Sequence, residues 1–343
     1  MKHLLNTLYV MSQETYLALD GETVLLRREG QSVHQVPLHT LDGIIAFGQV
    51  SASPALMAAC AERNVTLSFM SLNGRFQARV QGPVSGNVLL RRAQYRLADD
   101  LLGAAAIAQS IVMAKLANGR AVLLRASRDH PHSPGAAEVK AVAAFLGGCL
   151  EGLAEPLPLD ELRGLEGEAG KAYFSVFDHL IVAQKESFFF EKRSRRPPLD
   201  NVNALLSFAY SLLAHDVCSA LEGVGLDPQV GFLHRDRPGR PSLALDLMEE
   251  LRPVLADRLV LSLINRQQVR PKGFSVLESG AVRMDDDTRR TLITAYQERK
   301  RETLQHPFLQ EQVPVGLLPH CQALLLARFL RGDLDAYPPF FWR

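Results

Sequence analysis

Cysteine is scarce in this chain and scattered. Cys60, Cys149, Cys218 and Cys321 stand far apart and form no CxxC pair. That spacing excludes a zinc ribbon and fits a reducing compartment in which the thiols stay free. Familiar catalytic signatures are missing as well: there is no HExxH, no GxxxxGK[ST] and no GxSxG. Zinc-peptidase, P-loop and serine-hydrolase chemistry are thereby set aside. An excess of charge of one sign is lacking too. The formal net charge is +1, so any case for nucleic acid must rest on local clusters. The opening MKHLLNTLYVMSQETY has no long apolar region followed by a small-residue cleavage site, and no signal peptide is expected from it. The most apolar helical stretch, 101–117, is interrupted by Gln109, Ser110 and Lys115 and reads as a buried helix rather than a membrane span. These absences together predict a cytoplasmic protein with no membrane partner.

What is present describes an ordinary globular chain. A hydrophobic fraction of 47% beside 22% charged residues argues against disorder, and 343 residues are long for one core, so two domains are expected. Short apolar runs at 16–19, 23–28, 33–38 and 43–47, split by Asp20-Gly21 and Glu29-Gly30, predict a hairpin or meander. A helix follows at 51–63, with Ser51 or Ser53 as N-cap and Pro54 in the first turn. Strands are predicted at 65–70 and 75–80 around the turn dipeptide Asn73-Gly74. Gly82-Pro83-Val84-Ser85-Gly86 interrupts both periodicities and marks the boundary. Beyond it the pattern is almost wholly helical, at 88–117, 136–153, 161–180, 202–221, 243–265, 286–303 and 315–330. The fold class is therefore α+β: a small β-rich N-terminal domain (1–83), a linker (84–88) and a larger all-α domain (89–343). The tail DAYPPFFWR holds the one tryptophan, Trp342, and the sequence leaves open whether it packs.

Chemistry concentrates in residues 225–253, GLDPQVGFLHRDRPGRPSLALDLMEELRP. His234 lies in a Gly/Pro/Arg-rich loop that feeds a helix bearing Asp246, Glu249 and Glu250, spaced to share one helical face. Leu243, Leu247 and Leu251 give that helix an apolar stripe. A loop histidine and the polar face of an amphipathic helix would read the same way. Arg235, Arg237 and Arg240 beside the histidine favour more: cations and metal-type ligands together are what phosphoryl transfer uses. Carboxylates with a single imidazole suit Mg²⁺ or Mn²⁺. Elsewhere, Glu166 and Glu168 sit among Gly164, Gly167 and Gly170, glycines that close approach of a helix or ligand would explain; a solvated surface acid is the plainer account. Lys192, Arg193, Arg195 and Arg196 precede two prolines, as in a phosphate-facing loop or a soluble linker. Asp200 or Asn201 then offers an N-cap to an apolar helix.

The segments GLEG (164–167) with Ala172-Tyr173-Phe174, RRPPLDNVNALLSFAYSLL (195–213), GLDPQVGFLH (225–234) and SLALDLMEELRP (242–253) resemble those of the CRISPR-associated spacer-acquisition integrases, the Cas1 family. The resemblance spans essentially the whole chain, and the opening LLNTLYV is similar to the version found with type I-C systems. It implies that Glu166, His234 and Glu249 are metal ligands, with Asp246 a further acid of the same site. Glu249 is preferred to Glu250 because the family motif places its acid three residues after Asp246. Some relatives carry aspartate there. The resemblance further implies a homodimer, formed through the β-rich domain, that joins a small companion protein, Cas2. The complex would insert double-stranded DNA fragments (prespacers) at a CRISPR repeat, with a metal-dependent endonuclease or a non-catalytic DNA scaffold as the alternatives.

Overall fold

The structure is a computed structural model, described here for residues 6–82 and 88–342. The chain divides into two compact units, 1–86 and 87–343. The glycine/proline interruption at 83–86, and with it most of the expected linker, lies outside the described residues, as do Leu4 and Leu5 of the opening motif.

In the N-terminal unit the chain runs β1 (Thr7–Val10), β2 (Thr15–Asp20), β3 (Thr23–Arg28), β4 (Gln31–Pro37), β5 (Gly43–Phe47), β6 (Val50–Ala52), α1 (Pro54–Glu62), β7 (Thr66–Met70) and β8 (Phe76–Val80). Instead of the one small sheet expected, there are two four-stranded sheets, ordered β4-β3-β2-β6 and β1-β5-β7-β8. The meander β2-β3-β4 is antiparallel, but β6 pairs with β2 in parallel, and β1, β5 and β7 run parallel to one another. β5 is buried along its full length, as a central parallel strand must be, which explains its uninterrupted apolar GIIAF. The helix starts at Pro54 rather than at 51, because 50–52 is strand. The Ser53 hydroxyl caps it by accepting from the Leu56 N–H at 3.2 Å. Both sheets and α1 feed one core around Leu17, Val24, Ile44, Leu56 and Leu67.

The second unit is helical, though not wholly so: hairpins β9/β10 (Phe274–Val276, Val282–Met284) and β11/β12 (Thr303–Gln305, Gln312–Pro314) interrupt it. Its helices are α2 (Val88–Asp99), α3 (Leu101–Asp129), α4 (Ala136–Gly152), α5 (Leu159–Ser175), α6 (Asn201–Gly223), α7 (Ser242–Leu251), α8 (Arg258–Asn265), α9 (Asp286–Arg301) and α10 (Leu318–Leu330). The run expected as one helix over 88–117 breaks at Asp100, whose side chain caps α3 by accepting from Leu102 N–H. α6 is capped the same way by Asp200 on Asn203 N–H at 2.7 Å. The single helix expected over 243–265 is divided by a π-helical turn, Arg252–Asp257, where Pro253 has no N–H to donate. α3 and α6 are long and apolar enough to cross a membrane by length and composition, but about half of each lies buried inside the protein. α3 packs on α4, α5 and α7, and this brings the candidate residues together.

The tail packs. Glu250, buried on α7, accepts from the Tyr337 hydroxyl at 2.7 Å, the Phe340 N–H at 2.8 Å and Gln322 Nε2 at 3.0 Å. Asn118 of α3 donates to the carbonyls of Glu250 and Phe340 and accepts from Trp342 N–H, so a buried amide is fully used. Arg258 and Arg299 both lie over the Trp342 ring.

Candidate active site

The loop 225–241 presses onto the start of α7 because residue 231 is glycine. A Cβ there would lie 2.6 Å from Asp246 Oδ2 and within 3 Å of backbone at Ser242 and Leu243. This close approach lets the fully buried Asp246 gather the loop. Oδ2 accepts the N–H groups of Phe232 (2.6 Å) and Leu233 (2.9 Å), and Oδ1 accepts the N–H of His234 (2.9 Å). Oδ1 also lies 2.6 Å from His234 Nδ1, a spacing that puts the proton on Nδ1. The lone pair is then left on Nε2, which faces Glu249 Oε1 at 3.9 Å. Asp246 thus holds the histidine's orientation and tautomer.

Glu249 points inward from α7 and is almost fully buried. Its Oε1 accepts from Arg252. Its Oε2 is buried, makes no hydrogen bond of good geometry, and faces the Lys115 ammonium at 2.7 Å. Lys115, from α3, also bonds Glu166 Oε1 from α5. Burial alone would raise the Glu249 carboxyl, but Arg252 and Lys115 hold it at about 2. Burial alone would lower the Lys115 ammonium, and Glu249 and Glu166 reverse that. The structure therefore joins Glu166 to Glu249 through one lysine, with the Nε2 edge of His234 facing the other oxygen of Glu249. Among the described residues no three acid, histidine or cysteine groups close in tightly enough to form a ligand set by themselves.

The three acids of α7 turn to different tasks, although His234 lies between Asp246 and Glu249. Asp246 serves the loop, Glu249 the site and Glu250 the tail, and burial pushes the Glu250 carboxyl up to about 8. Glu166 is half-buried and ion-paired, which removes the plain account of a solvated acid, whereas Glu168 is exposed. Helix approach does not explain Gly164 and Gly167, since a side chain at either would meet nothing within 4 Å. Gly170 instead helps line a cavity of about 90 Å³ beside the site, with Lys115, Tyr173, Arg195, Tyr210, Glu249 and Asp257 among its walls. Asp257, on the π-turn, accepts from the hydroxyls of Tyr210 (2.6 Å) and Tyr173 (3.1 Å). Burial, against those bonds, lifts its carboxyl to about 6.

The basic residues separate into two kinds. Arg193 turns inward, donating to the Ser194 carbonyl, Asn203 Oδ1 and Ser207 Oγ, with its guanidinium over Tyr210. Lys192, Arg195 and Arg196 are exposed. Arg235 pairs with Asp160 at 3.0 Å, and Arg237 is exposed. Burial and the like charges of Arg237, Arg195 and Arg252 depress Arg240. The two basic loops, about 40 residues apart in sequence, thus feel each other's charge. Reading the sequence missed Lys115, Arg252, Tyr210 and Asp257. The usable signal was Lys115 itself, a cation in the middle of an apolar helix that burial obliges to find partners.

The family model for "CRISPR associated protein Cas1" matches residues 8–298. The chain belongs to the Cas1 family. The CRISPR-associated endonuclease Cas1 1 of Chlorobaculum tepidum is 55% identical over the full length of both chains. Among solved structures, a casposase bound to integration product aligns with a TM-score of 0.84 at 23% identity, covering 97% of this chain and 93% of that one. A Cas6-RT-Cas1–Cas2 complex aligns with a TM-score of 0.84 at 21% identity, over 99% of this chain and 36% of that one. At those identities the two structures speak for the Cas1 fold alone.

Proposed function

We propose that this Cas1 chain is a CRISPR adaptation integrase that joins the 3′-hydroxyl ends of DNA fragments to a CRISPR repeat by metal-dependent transesterification. The observation that carries this reading is that one lysine joins Glu166 to Glu249 while Nε2 of His234 faces the other oxygen of Glu249, with Asp246 fixing the imidazole from behind. The donor set fits a hard divalent cation. It offers two carboxylates and one imidazole nitrogen, one carboxylate oxygen is buried and poorly satisfied, and an ammonium already stands between the acids. Glu166, His234 and Glu249 would hold Mg²⁺ or Mn²⁺, which when bound stabilises charge on the phosphate under attack.

The chain's own groups do the rest. Asp246 keeps the proton on Nδ1 of His234 and the loop against α7. Arg252 offsets part of the charge of Glu249 and places positive charge where negative charge grows on the phosphate. Exposed Lys192, Arg195, Arg196 and Arg237, with half-buried Arg240, hold DNA backbone without reading sequence. In the reaction the incoming 3′-oxygen loses its proton and forms a P–O bond. The repeat strand's own 3′-oxygen leaves the same phosphorus and takes up a proton, so one phosphodiester replaces another. A homodimer formed through the N-terminal unit, with Tyr16, Val33 and Phe76 exposed on it, would join Cas2 in the cytoplasm.

The test is strand joining of short duplex DNA to a supercoiled repeat-bearing plasmid, with Cas2 present, in Mn²⁺ or in EDTA. Joined product that needs metal and His234 supports the integrase. Metal-dependent cleavage without joining replaces it with the endonuclease reading, which the name of the Chlorobaculum relative favours. Absence of any metal-dependent chemistry returns the ion pairs at Lys115 to a structural role.

A further inference from the structure

Lys115 does not belong to the ligand set that the sequence suggested, yet it stands at the centre of the geometry. One side chain from α3 ties together carboxylates from α5 and α7: it bonds Glu166 Oε1 and lies 2.7 Å from Glu249 Oε2. The group is largely withdrawn from water, with 19% of its side chain exposed and 2% of that of Glu249. An ammonium is a compact, strongly hydrated charge on a flexible four-carbon stem, and here two acids replace most of its hydration. Those oxygens cannot serve the ammonium and a divalent ion at once. The two cations would be only a few ångströms apart in a partly dry site, where they repel strongly. Binding one therefore means moving the other. The structure provides room for that: the cavity of about 90 Å³ borders Lys115, and Gly119 and Gly170 keep its walls low beside the lysine stem.

Resting on the metal-site reading above, we propose that Lys115 is a built-in counter-ion. It closes the Glu166–Glu249 pair in the metal-free protein, competes with the divalent ion for their oxygens, and is released into the adjoining cavity when the ion binds. The competition would let the site stay folded and charge-balanced before metal arrives, at the cost of metal affinity.

The test is binding of Mn²⁺ alone to the full-length protein, followed by the EPR signal of free aqueous Mn²⁺, for wild type, Lys115→Met, Lys115→Arg and Glu249→Gln. Lys115→Met should bind Mn²⁺ about tenfold more tightly than wild type, equivalent to roughly 1.4 kcal/mol. Lys115→Arg keeps the charge and can fork to both carboxylates, so it should bind no more tightly than wild type. Glu249→Gln should bind much more weakly. As a second readout, Mn²⁺ should increase acylation of the wild-type Lys115 amine by a water-soluble ester, scored by peptide mass spectrometry. If circular dichroism shows Lys115→Met unfolded, Lys115→Arg and the labelling decide. Wild type that binds Mn²⁺ with the same affinity as folded Lys115→Met, or Lys115 labelling indifferent to Mn²⁺, overturns the counter-ion while leaving the metal site standing. Failure of every protein to bind Mn²⁺ overturns the metal site and the counter-ion with it.

Discussion

Replacing Asp246 by asparagine tests how much of the site is held by one buried carboxylate. Both oxygens are surrounded by donors: the Phe232 and Leu233 N–H groups at Oδ2, and the His234 N–H and Nδ1–H at Oδ1. An amide has one acceptor oxygen and one NH₂, so whichever way it turns, NH₂ faces two donors. If the oxygen stays with His234, two backbone N–H groups lose their acceptor inside the protein. Each orphaned donor costs roughly 1–3 kcal/mol, and partial relaxation of the loop places the total at about 3 kcal/mol. For a unit of this size that corresponds to a fall in Tm of roughly 6–12 °C. If the oxygen turns to the loop instead, NH₂ faces Nδ1 and the proton moves to Nε2, removing the lone pair that faces Glu249. Strand joining should then fall by at least as much as in His234→Ala. Thermal unfolding gives the first quantity, and ¹⁵N spectra of the histidines give the tautomer. An Asp246→Asn protein with wild-type Tm, an Nδ1–H tautomer at His234 and full joining activity would refute the reasoning.

Further outcomes follow from the same geometry. Glu166→Gln, Glu249→Gln and His234→Ala should each abolish joining with the fold intact by circular dichroism. Glu249→Ala should in addition cost about 3–5 kcal/mol in urea unfolding, because it strands the Lys115 and Arg252 charges. Glutamate at both Arg195 and Arg196 should weaken DNA binding and lower the slope of log K against log salt by about 2, one per lost phosphate contact; an unchanged slope makes that loop a linker. Glu250 holds its proton up to about pH 8 when folded and only to about 4.5 when unfolded. Its contribution to stability is therefore complete below about pH 4.5 and falls as pH rises toward 8, at roughly 1.4 kcal/mol per pH unit. Glu250→Gln should flatten the dependence of Tm on pH across that window, and an equally steep profile in the variant would refute the assignment.

Many of the helices could be read from the sequence, because caps and apolar periodicity are local: Asp200 and Ser53 cap the helices that follow them, and 286–303 differs from α9 by two residues. The failures came where the deciding contact is distant. β1 and β6 are short and gain their status only from parallel partners about 35 residues away, which no local pattern encodes. Pro253 was readable as a helix breaker, but the wide turn that follows depends on burying Arg252 and Asp257 against α3, α5 and α6. For the site, the loop–helix motif located His234 and the α7 acids, and the family resemblance singled out Glu166 and Glu249. It could not say that Asp246 and Glu250 turn to different tasks, since a spacing of four residues fixes a helical face and not the partner found there. Nor could it show Arg193 turned inward among its charged neighbours.

The attachment of the tail beneath α7 bears on the order in which the protein comes into being. Glu250 finds its Phe340 partner 90 residues further along the chain. While a ribosome is still making the protein, the helix that carries Asp246 and Glu249 would already have emerged with its underside unfinished and a carboxyl group waiting. Closing that gap is a contact of long sequence separation, and such contacts form late. The support behind α7 is therefore complete only once residues 337–342 have been made, so a nascent chain that stops short of them would carry His234, Asp246 and Glu249 without the contacts that hold the far side of their helix.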